Sequence, residues 1–465
     1  MTATVRVITP ESPELEDVLS AIADAARTQE VEVYLVGGFV RDRLLGGAQG
    51  KDIDLVTVGT DPMALLAAVA AGFGWHPPER FERFGTAQIR GGTWIVEGVR
   101  ARAERYDPES RNPDVRPGTL VEDVWRRDFT VNALCQSLDG EVIDVTGRGI
   151  ADLLAGVLRT PLDPAETFAE DPLRMYRAAR FVARLGFALA PGTIEAMRAQ
   201  ASRTTILSVE RVSDELRRLL VAPYPSAGIS VLREGGLLDL VLPELVAAIG
   251  IEQGGYHTHD VYGHTLRTVD ATPPDLVTRT AALLHDIAKP PTHAVAPDGR
   301  HTFYDHPQIG ADMARAILAR WRFSNDEIGD VSQLVRLHLR PIQYEREAFG
   351  DAAVRRLIRD AGPLRGRMLD LARADTTASA YPTLEELDEL GKRMARLDAG
   401  GVVSAMADPL SGEELMAMAA RGPGPWVGRV KAAIREAVIE GTIPPGDAAL
   451  ARAWVQSHPE MLRDD

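Results

Sequence analysis

Apolar and polar positions along this 465-residue chain change their period once, near residue 150. Before that point short, β-branched apolar runs recur at 31–36, 53–58, 85–90, 93–99, 129–136 and 142–144, and each predicts a strand. A short helix is expected over 39–45. Beyond 150 the period lengthens to that of helices, most clearly over 171–186 and 209–220. The expected fold class is α+β: a mixed sheet with helices, then a mostly α-helical remainder. Gly254-Gly255 opens a histidine-rich stretch reaching about Ala380. Tyr381-Pro382 starts a last helical section, which Gly422-Pro-Gly-Pro425 interrupts. The length suits three or four domains, with expected limits of 1–150, 151–250, 251–380 and 381–465. The polar stretch 107–118, with three prolines, is expected to be a loop.

Asp52 and Asp54 sit two apart in the second strand run, so they share a face while Ile53 turns inward. Two carboxylates on one face repel unless a cation lies between them. Oxygen-rich sites of this kind suit Mg²⁺ together with substrate phosphates, and two ions can clamp the oxygens of a phosphoryl or nucleotidyl transfer. Gly37 and Gly38 end the preceding strand and, lacking Cβ atoms, let a triphosphate approach the backbone. The helix that follows presents its N–H groups to those phosphates, and Arg41 adds a charged fork. Glu97, on the 93–99 run, is the expected third acid, with Glu104 as the alternative. Arg126, Arg127 and Asp128 are candidates for a nucleotide's ribose and phosphates. Asp171 and Arg174, three apart, offer acceptors and donors for the Watson–Crick edge of a base. Arg174, Arg177, Arg180 and Arg184 share one third of the helical wheel with Phe181 and Leu185 beside them, the pattern of a lined cleft for a polyanion.

Composition restricts the partners. A net charge of −15 argues against a protein that coats nucleic acid by bulk charge, so RNA binding must rest on shape and placed arginines. No apolar run of about 18 residues predicts a membrane span, and no signal peptide is read at the N-terminus. Cys135 is the only cysteine; an internal disulfide is impossible, a buried structural thiol is expected, and a cytoplasmic location fits. The sequence carries no signal for oligomeric state.

Seven of the ten histidines fall between 257 and 306, and His285 and Asp286 are adjacent on an apolar helix, which has metal-ligand character. His264, His285, Asp286 and Asp375 form the first candidate set. His306 and His338 are candidates for a second ion, while His257, His259, His293 and His301 are expected at the surface. Near the end, the Gly-Pro turn feeds a helix whose N-terminus, with Arg429 and Lys431, suits an RNA phosphate; Glu436 and Glu440 on the same helix oppose that.

Taken in order, Gly37-Gly-Phe-Val-Arg-Asp42, Asp52-Ile-Asp54, Arg126-Arg-Asp128, Asp144 to Asp152, Glu170-Asp-Pro-Leu-Arg174 and Glu210-Arg-Val-Ser-Asp-Glu-Leu216 resemble the CCA-adding tRNA nucleotidyltransferase and bacterial poly(A) polymerase family. The resemblance implies a nucleotidyltransferase palm over 1–150, a helical neck, an HD-type body and a tRNA-binding tail. It implies Mg²⁺ on Asp52 and Asp54 with Glu97, the triphosphate on Gly37, Gly38 and Arg41, ribose and phosphates on Arg126, Arg127 and Asp128, base reading by Asp171 and Arg174, and a pocket completed by Arg177 and Arg180. The implied activity is addition of C, C and A to the tRNA 3′ end from CTP and ATP. A full-length loop over 105–119 favours the complete addition in this family. Poly(A) synthesis and CC-only or A-only addition are the alternatives within the class. The histidine-rich half resembles the HD phosphohydrolase domain, implying a divalent metal (Ni, Mn, Fe or Mg) on His264, His285, Asp286 and Asp375; an HD phosphohydrolase is the alternative from another class.

Overall fold

A computed structural model of the chain describes residues 5–6, 12–46, 51–81, 85–105, 114–254, 259–379, 383–399, 408–444 and 446–462. The fold class is α+β, as expected, and divides into two compact units, Met1–Val241 and Leu242–Asp465.

In the first unit, β1 (Val5–Arg6), β2 (Glu32–Val36), β3 (Asp52–Val58), β4 (Glu79–Phe81), β5 (Thr86–Gly91), β6 (Trp94–Arg100), β9 (Cys135–Ser137) and β10 (Glu141–Ile143) form one sheet in the order β1-β10-β9-β2-β3-β6-β5-β4. All neighbours are antiparallel except β3 and β6. That parallel pair needs a crossover, which α3 (Met63–Phe73) and the β4–β5 hairpin provide, whereas α1 (Pro13–Thr28) precedes β2. Ile53, Leu55 and Val56 are fully buried, each contributing roughly 1.5–3 kcal/mol. Ile53 and Leu55 share one face of β3 and fix the register that leaves Asp52 and Asp54, with Val56, on the other. Cys135 is buried in β9, and burial pushes its thiol up to about 11, in keeping with a structural role.

Two expectations fail here. The run 129–136 is a strand only at its end. Asp128 accepts the Phe129 N–H and the Asn132 side chain, and Thr130 N–H reaches Arg159 O, so 130–132 close into a 3₁₀ turn. The stretch 107–118 is not loop throughout: β8 (Asp114–Pro117) pairs with β7 (Arg102–Arg105), and the remainder of the loop lies outside the described residues.

After α2 (Gly37–Leu44), α4 (Leu120–Trp125) and α5 (Gly149–Ala155), α6 (Pro164–Glu170) leads into α7 (Leu173–Leu185), followed by α8 (Thr193–Gln200), α9 (Val209–Leu220) and α10 (Pro225–Glu234). Gly186, at φ +68°, ends α7 in the left-handed conformation. Close packing of α7 on α10 depends on small residues, since a Cβ on Gly228 would lie 2.8 Å from both Ala179 O and the Ala183 methyl.

The second unit is helical. Val261–Ala271, Leu276–Leu284, His306–Arg320, Asn325–Leu337 and Arg365–Ala378 are its central helices. Its C-terminal portion packs around Trp426, Val430 and Ile434.

Candidate active site and metal centre

The parallel register sets Asp54 beside Glu97, and Asp52 shares their face. Burial, and then Glu97 beside it, push the Asp54 carboxyl up to about 6. An acid pair with so little compensation fits a divalent cation. Glu97 Oε2 accepts only a long bond from Gln88, at 3.5 Å. The Glu104 side chain lies outside the described residues.

Gly37 occupies φ +70°, and a Cβ there would meet Arg127 Nη1 at 3.5 Å and Asp54 Oδ2 at 3.6 Å. Those contacts are of ordinary length, so it is the left-handed backbone conformation that favours glycine here. Arg41 is buried, donates from Nη1 to Asn132 Oδ1 and from Nε to Asp42 Oδ1 (2.8 Å), and its Nη2 lies 2.7 Å from the same Asp42 oxygen as an ion pair. Asp42 in turn holds Arg184 at 2.7 Å.

Asp123, on α4, is fully buried and anchors both neighbouring arginines. Arg126 donates to its Oδ1, and Arg127 to its Oδ2 at 2.9 and 3.3 Å. Asp128 accepts from Phe129 N–H, Asn132 Nδ2 (3.0 Å) and both Nε and Nη2 of Arg177 (2.8 and 2.6 Å). Burial would raise its carboxyl, but Arg177 and Asn132 prevail and hold it down at about 2. Glu215 on α9 accepts from Arg180, which lies over the Phe181 ring at 4.1 Å, and Arg177 stands 3.6 Å away.

The expected base-reading pair is arranged differently from its helical spacing. Asp171 is not in α7; it ends α6, caps the Leu173 N–H at 3.0 Å and pairs with Arg211 at 3.3 Å. Arg174 is buried, and its donors go to Glu170 (2.9 Å), Thr167 O (3.2 Å) and Arg126 O (2.6 Å).

Gly37, Gly38, Asp52, Asp54, Asn132, Asp171 and the arginines named above border one cavity of about 1370 Å³, while Asp42, Glu97, Asp123, Glu170 and Glu215 stand behind its lining. Thirteen arginines and five aspartates line it. In a chain of net charge −15 this concentrates positive charge in one place, and only a polyanion satisfies it. Sequence reasoning gave no role to Asp42, Asp123, Asn132 or Glu215. Asp123 had a signal, lying three and four residues before two arginines; Asp42 meets Arg184 from 142 residues away, Asn132 meets Arg41 from 91 and Glu215 meets Arg180 from 35, and no local spacing announces those pairs.

The second unit gathers six ligand side chains: His264, His306 and Asp375 stand on its central helices, and His285, Asp286 and His338 lie just past the ends of Leu276–Leu284 and Asn325–Leu337. Two groups, His264–His285–Asp375 and Asp286–His306–His338, each place three ligand atoms within 4.8 Å of one another. The expected first set lies together: His264, His285 and Asp375 form one group, and Asp286, which groups with His306 and His338, also lies 3.1 Å from His285 Nε2 and 3.7 Å from His264 Nε2, so it bridges the two. The Nδ1 atoms of His285, His306 and His338 face the carbonyls of Ala282, Phe303 and Val335 at 2.7–2.8 Å, so every Nε2 points to the centre. Burial, and then His285, push His338 down to about 3, leaving it neutral for ligation. Lys289 Nζ lies 2.7 Å from Asp286. Among the expected surface histidines, His259 is exposed and His257 lies outside the described residues, but His293 and His301 are half-buried and stacked, with Nε2 and Nδ1 2.8 Å apart on a hairpin. In the last section Glu436 and Glu440 are engaged by Arg356, while Lys431 pairs with Asp408.

Comparisons with known proteins agree with this geometry. Residues 33–159 match the poly A polymerase head domain, 186–249 the probable RNA and SrmB-binding site of polymerase A, and 255–380 the HD domain. The chain is 37% identical to an A-adding tRNA nucleotidyltransferase of Deinococcus radiodurans, covering 91% of this chain and 94% of that one. It is 35% identical to a multifunctional CCA protein of Chromobacterium violaceum (81% and 94%) and 33% to a CC-adding tRNA nucleotidyltransferase of Thermus thermophilus (91% and 93%). The structure of the Bacillus stearothermophilus CCA-adding enzyme in complex with CTP superposes with a TM-score of 0.71 at 25% identity, covering 97% of this chain and 98% of that one. The chain belongs to the tRNA nucleotidyltransferase and poly(A) polymerase family.

Proposed function

We propose that this enzyme adds C, C and A to the 3′ end of tRNA from CTP and ATP, releasing pyrophosphate. The observation that carries the reading is the acid pair Asp52 and Asp54, with Glu97 beside Asp54, at an arginine-lined cavity that Gly37 and Gly38 also border. Asp52 and Asp54, with Glu97 beside them, hold Mg²⁺, which supplies a lowered hydroxyl pKa at the tRNA end and charge stabilisation at the leaving pyrophosphate. The residues do the rest by positioning. Gly38 and Arg41 take the triphosphate, Arg126, Arg127 and Asp128 the ribose and phosphates, and Arg177 and Arg180 close the pocket. Asp171 and Arg174 select the base from rigid attachments, so selection is made by a preset surface. Residues 1–150 act as the palm, 151–250 as the neck, 251–380 as the HD body and 381–465 as the tail on the tRNA. No described helix is long and apolar enough to cross a membrane, and a cytoplasmic location fits the substrate.

Addition of A alone is the second reading within the family, favoured by the 37%-identical relative that is named for it. One assay separates them. A tRNA lacking its last three nucleotides receives CTP, ATP or both with Mg²⁺, and products are resolved at single-nucleotide length. Two residues from CTP and three from both establish CCA addition. Addition of a single A only to tRNA already ending in CC would replace it, and long A-tails on unrelated RNA would indicate poly(A) synthesis.

The HD body carries a second activity in this proposal: metal-dependent phosphoester hydrolysis. Its support is the six-ligand cluster with imidazole nitrogens preset on backbone carbonyls. The ligand chemistry suits Ni, Mn, Fe or Mg.

A further inference from the structure

A second cavity, of about 540 Å³, lies in the first unit, within the roughly 300–1,000 Å³ range of small-molecule sites. It shares a wall with the large cavity. Along 125–132 the residues are divided between the two: Trp125 and Thr130 border the small one, while Arg126, Arg127, Asp128 and Asn132 border the large one.

The small cavity is lined by two arginines, an indole, four threonine hydroxyls and one carboxylate, so its lining charge is positive. The Arg148 side chain is exposed and has no partner among the described residues. Arg159 spends only Nε, on Asp152 at 3.2 Å, and its two Nη groups remain unengaged. The Trp125 indole N–H likewise has no acceptor among the described residues. Two acids stand near the arginines, one beneath the cavity and one in its lining. Asp152 lies buried beneath, taking Thr130 Oγ1 at 2.8 Å as well as Arg159, and Asp163 caps the Ala165 N–H at 2.9 Å. Trp125, Leu162 and three prolines supply flat apolar walls. Guanidinium groups favour phosphate oxygens, and an indole face favours a planar ring.

We propose that this cavity is a separate ligand site for a phosphate-bearing group with a planar ring, the phosphate between Arg148 and Arg159 and the ring against Trp125. Thr130 and Asn132 belong to one 3₁₀ turn, and Arg159 O holds that turn through the Thr130 N–H at 2.8 Å, so the site adjoins the residues that hold Arg41 and Arg177. The site is independent of which nucleotides the enzyme adds.

The test uses the full chain and phenylphosphonate, which has the phosphoryl group and ring, no triphosphate, and no ester for the HD body to cleave. Saturable quenching of tryptophan fluorescence is expected, with the signal lost in Trp125→Phe while calorimetric binding of the same stoichiometry persists. Arg148→Glu is expected to weaken binding at least tenfold while its ligand-free nucleotide addition stays at the wild-type rate. Arg211→Glu, which reverses an exposed charge of the large cavity, is expected to leave binding unchanged. Absence of saturable binding at millimolar probe, Arg148→Glu binding like wild type, or weakening by Arg211→Glu instead, each overturns the proposal. Primer tRNA identifies the natural source of the group: displacement of the probe assigns the site to an RNA phosphate, and retention assigns it to a free small molecule.

Discussion

Asp123→Asn tests the positioning argument with the least change in shape. In the native site Asp123 Oδ1 takes Arg126 Nε at 3.0 Å and its Nη2, and Oδ2 takes Arg127 Nη2 at 2.9 Å and Nε at 3.3 Å. An amide keeps one oxygen and turns an NH₂ toward the donors of one arginine. Two charge-assisted bonds are then lost, at about 1.5–3 kcal/mol each, and two mostly buried guanidinium groups lose their counter-charge. Breaking a buried pair from one side costs about 3–5 kcal/mol. If about 1.4–2.8 kcal/mol of that falls on nucleotide binding, affinity drops roughly 10- to 100-fold. These arginines contact ground state and transition state alike in the proposed role, so the loss should appear in KM more than in kcat. The assay is the initial rate of single-nucleotide addition against CTP concentration, on tRNA lacking CCA, and against ATP concentration, on tRNA ending in CC. KM should rise 10- to 100-fold for both nucleotides, with tRNA affinity by filter binding within threefold. KM values within twofold of wild type for both would refute the claim that Asp123 sets these arginines.

Three further predictions follow from the same geometry. The folded Asp54 carboxyl is raised to about 6 from its ordinary 3.8, so the metal-free fold holds a proton that the unfolded chain releases. This group's stabilising contribution is present below pH 3.8 and is lost as pH rises through about 6, and below pH 6 protons compete with Mg²⁺. The Mg²⁺ concentration for half-maximal addition should therefore rise as pH falls below 6 and level off above it, and Glu97→Gln should move the break to lower pH; an unchanged break would remove Glu97 from the acid set. Arg174→Ala removes the guanidinium that links Glu170, Thr167 and Arg126. Discrimination for CTP and ATP over UTP and GTP in competition assays should fall about 10- to 100-fold, the size of one or two charged hydrogen bonds, while wild-type base preference would show that the helix does not act as a template. His285→Ala combined with Asp286→Ala should strip the bound metal, measured by elemental analysis, and abolish phosphoester hydrolysis with CCA addition retained; retained metal would disprove the ligand assignment.

Several determinants were legible because their physics is local. Asp52 and Asp54 share a face through the two-residue period of a strand, whatever surrounds them. The Gly37-Gly38 turn, the arginine stripe of α7 and the His285-Asp286 pair likewise follow from spacing alone, and so did the change from mixed sheet to helices. Asp171 marks the limit of that logic. Its three-residue spacing from Arg174 held, but Pro172 begins a new helix, so the two groups are set by a helix junction and by Arg211 from α9.

Tertiary structure decided what depends on partners far along the chain. Glu97 became the neighbour of Asp54 through the parallel pairing of β3 with β6, a register carried by a crossover. The 129–136 run had the composition of a strand, yet Asp128 and the Arg159 carbonyl bend its first half into a turn, because buried backbone groups take whichever partner the fold supplies. Glu215 meets Arg180 from 35 residues away, and Asn132 meets Arg41 from 91. The six candidate metal ligands come from five helices and the turns that end them, and they meet only once those helices converge. The sequence by itself determined which chemical groups the chain carries and which of them share a local face. Only folding decided which charges are compensated, since burial and long-range pairing set the field that each group feels.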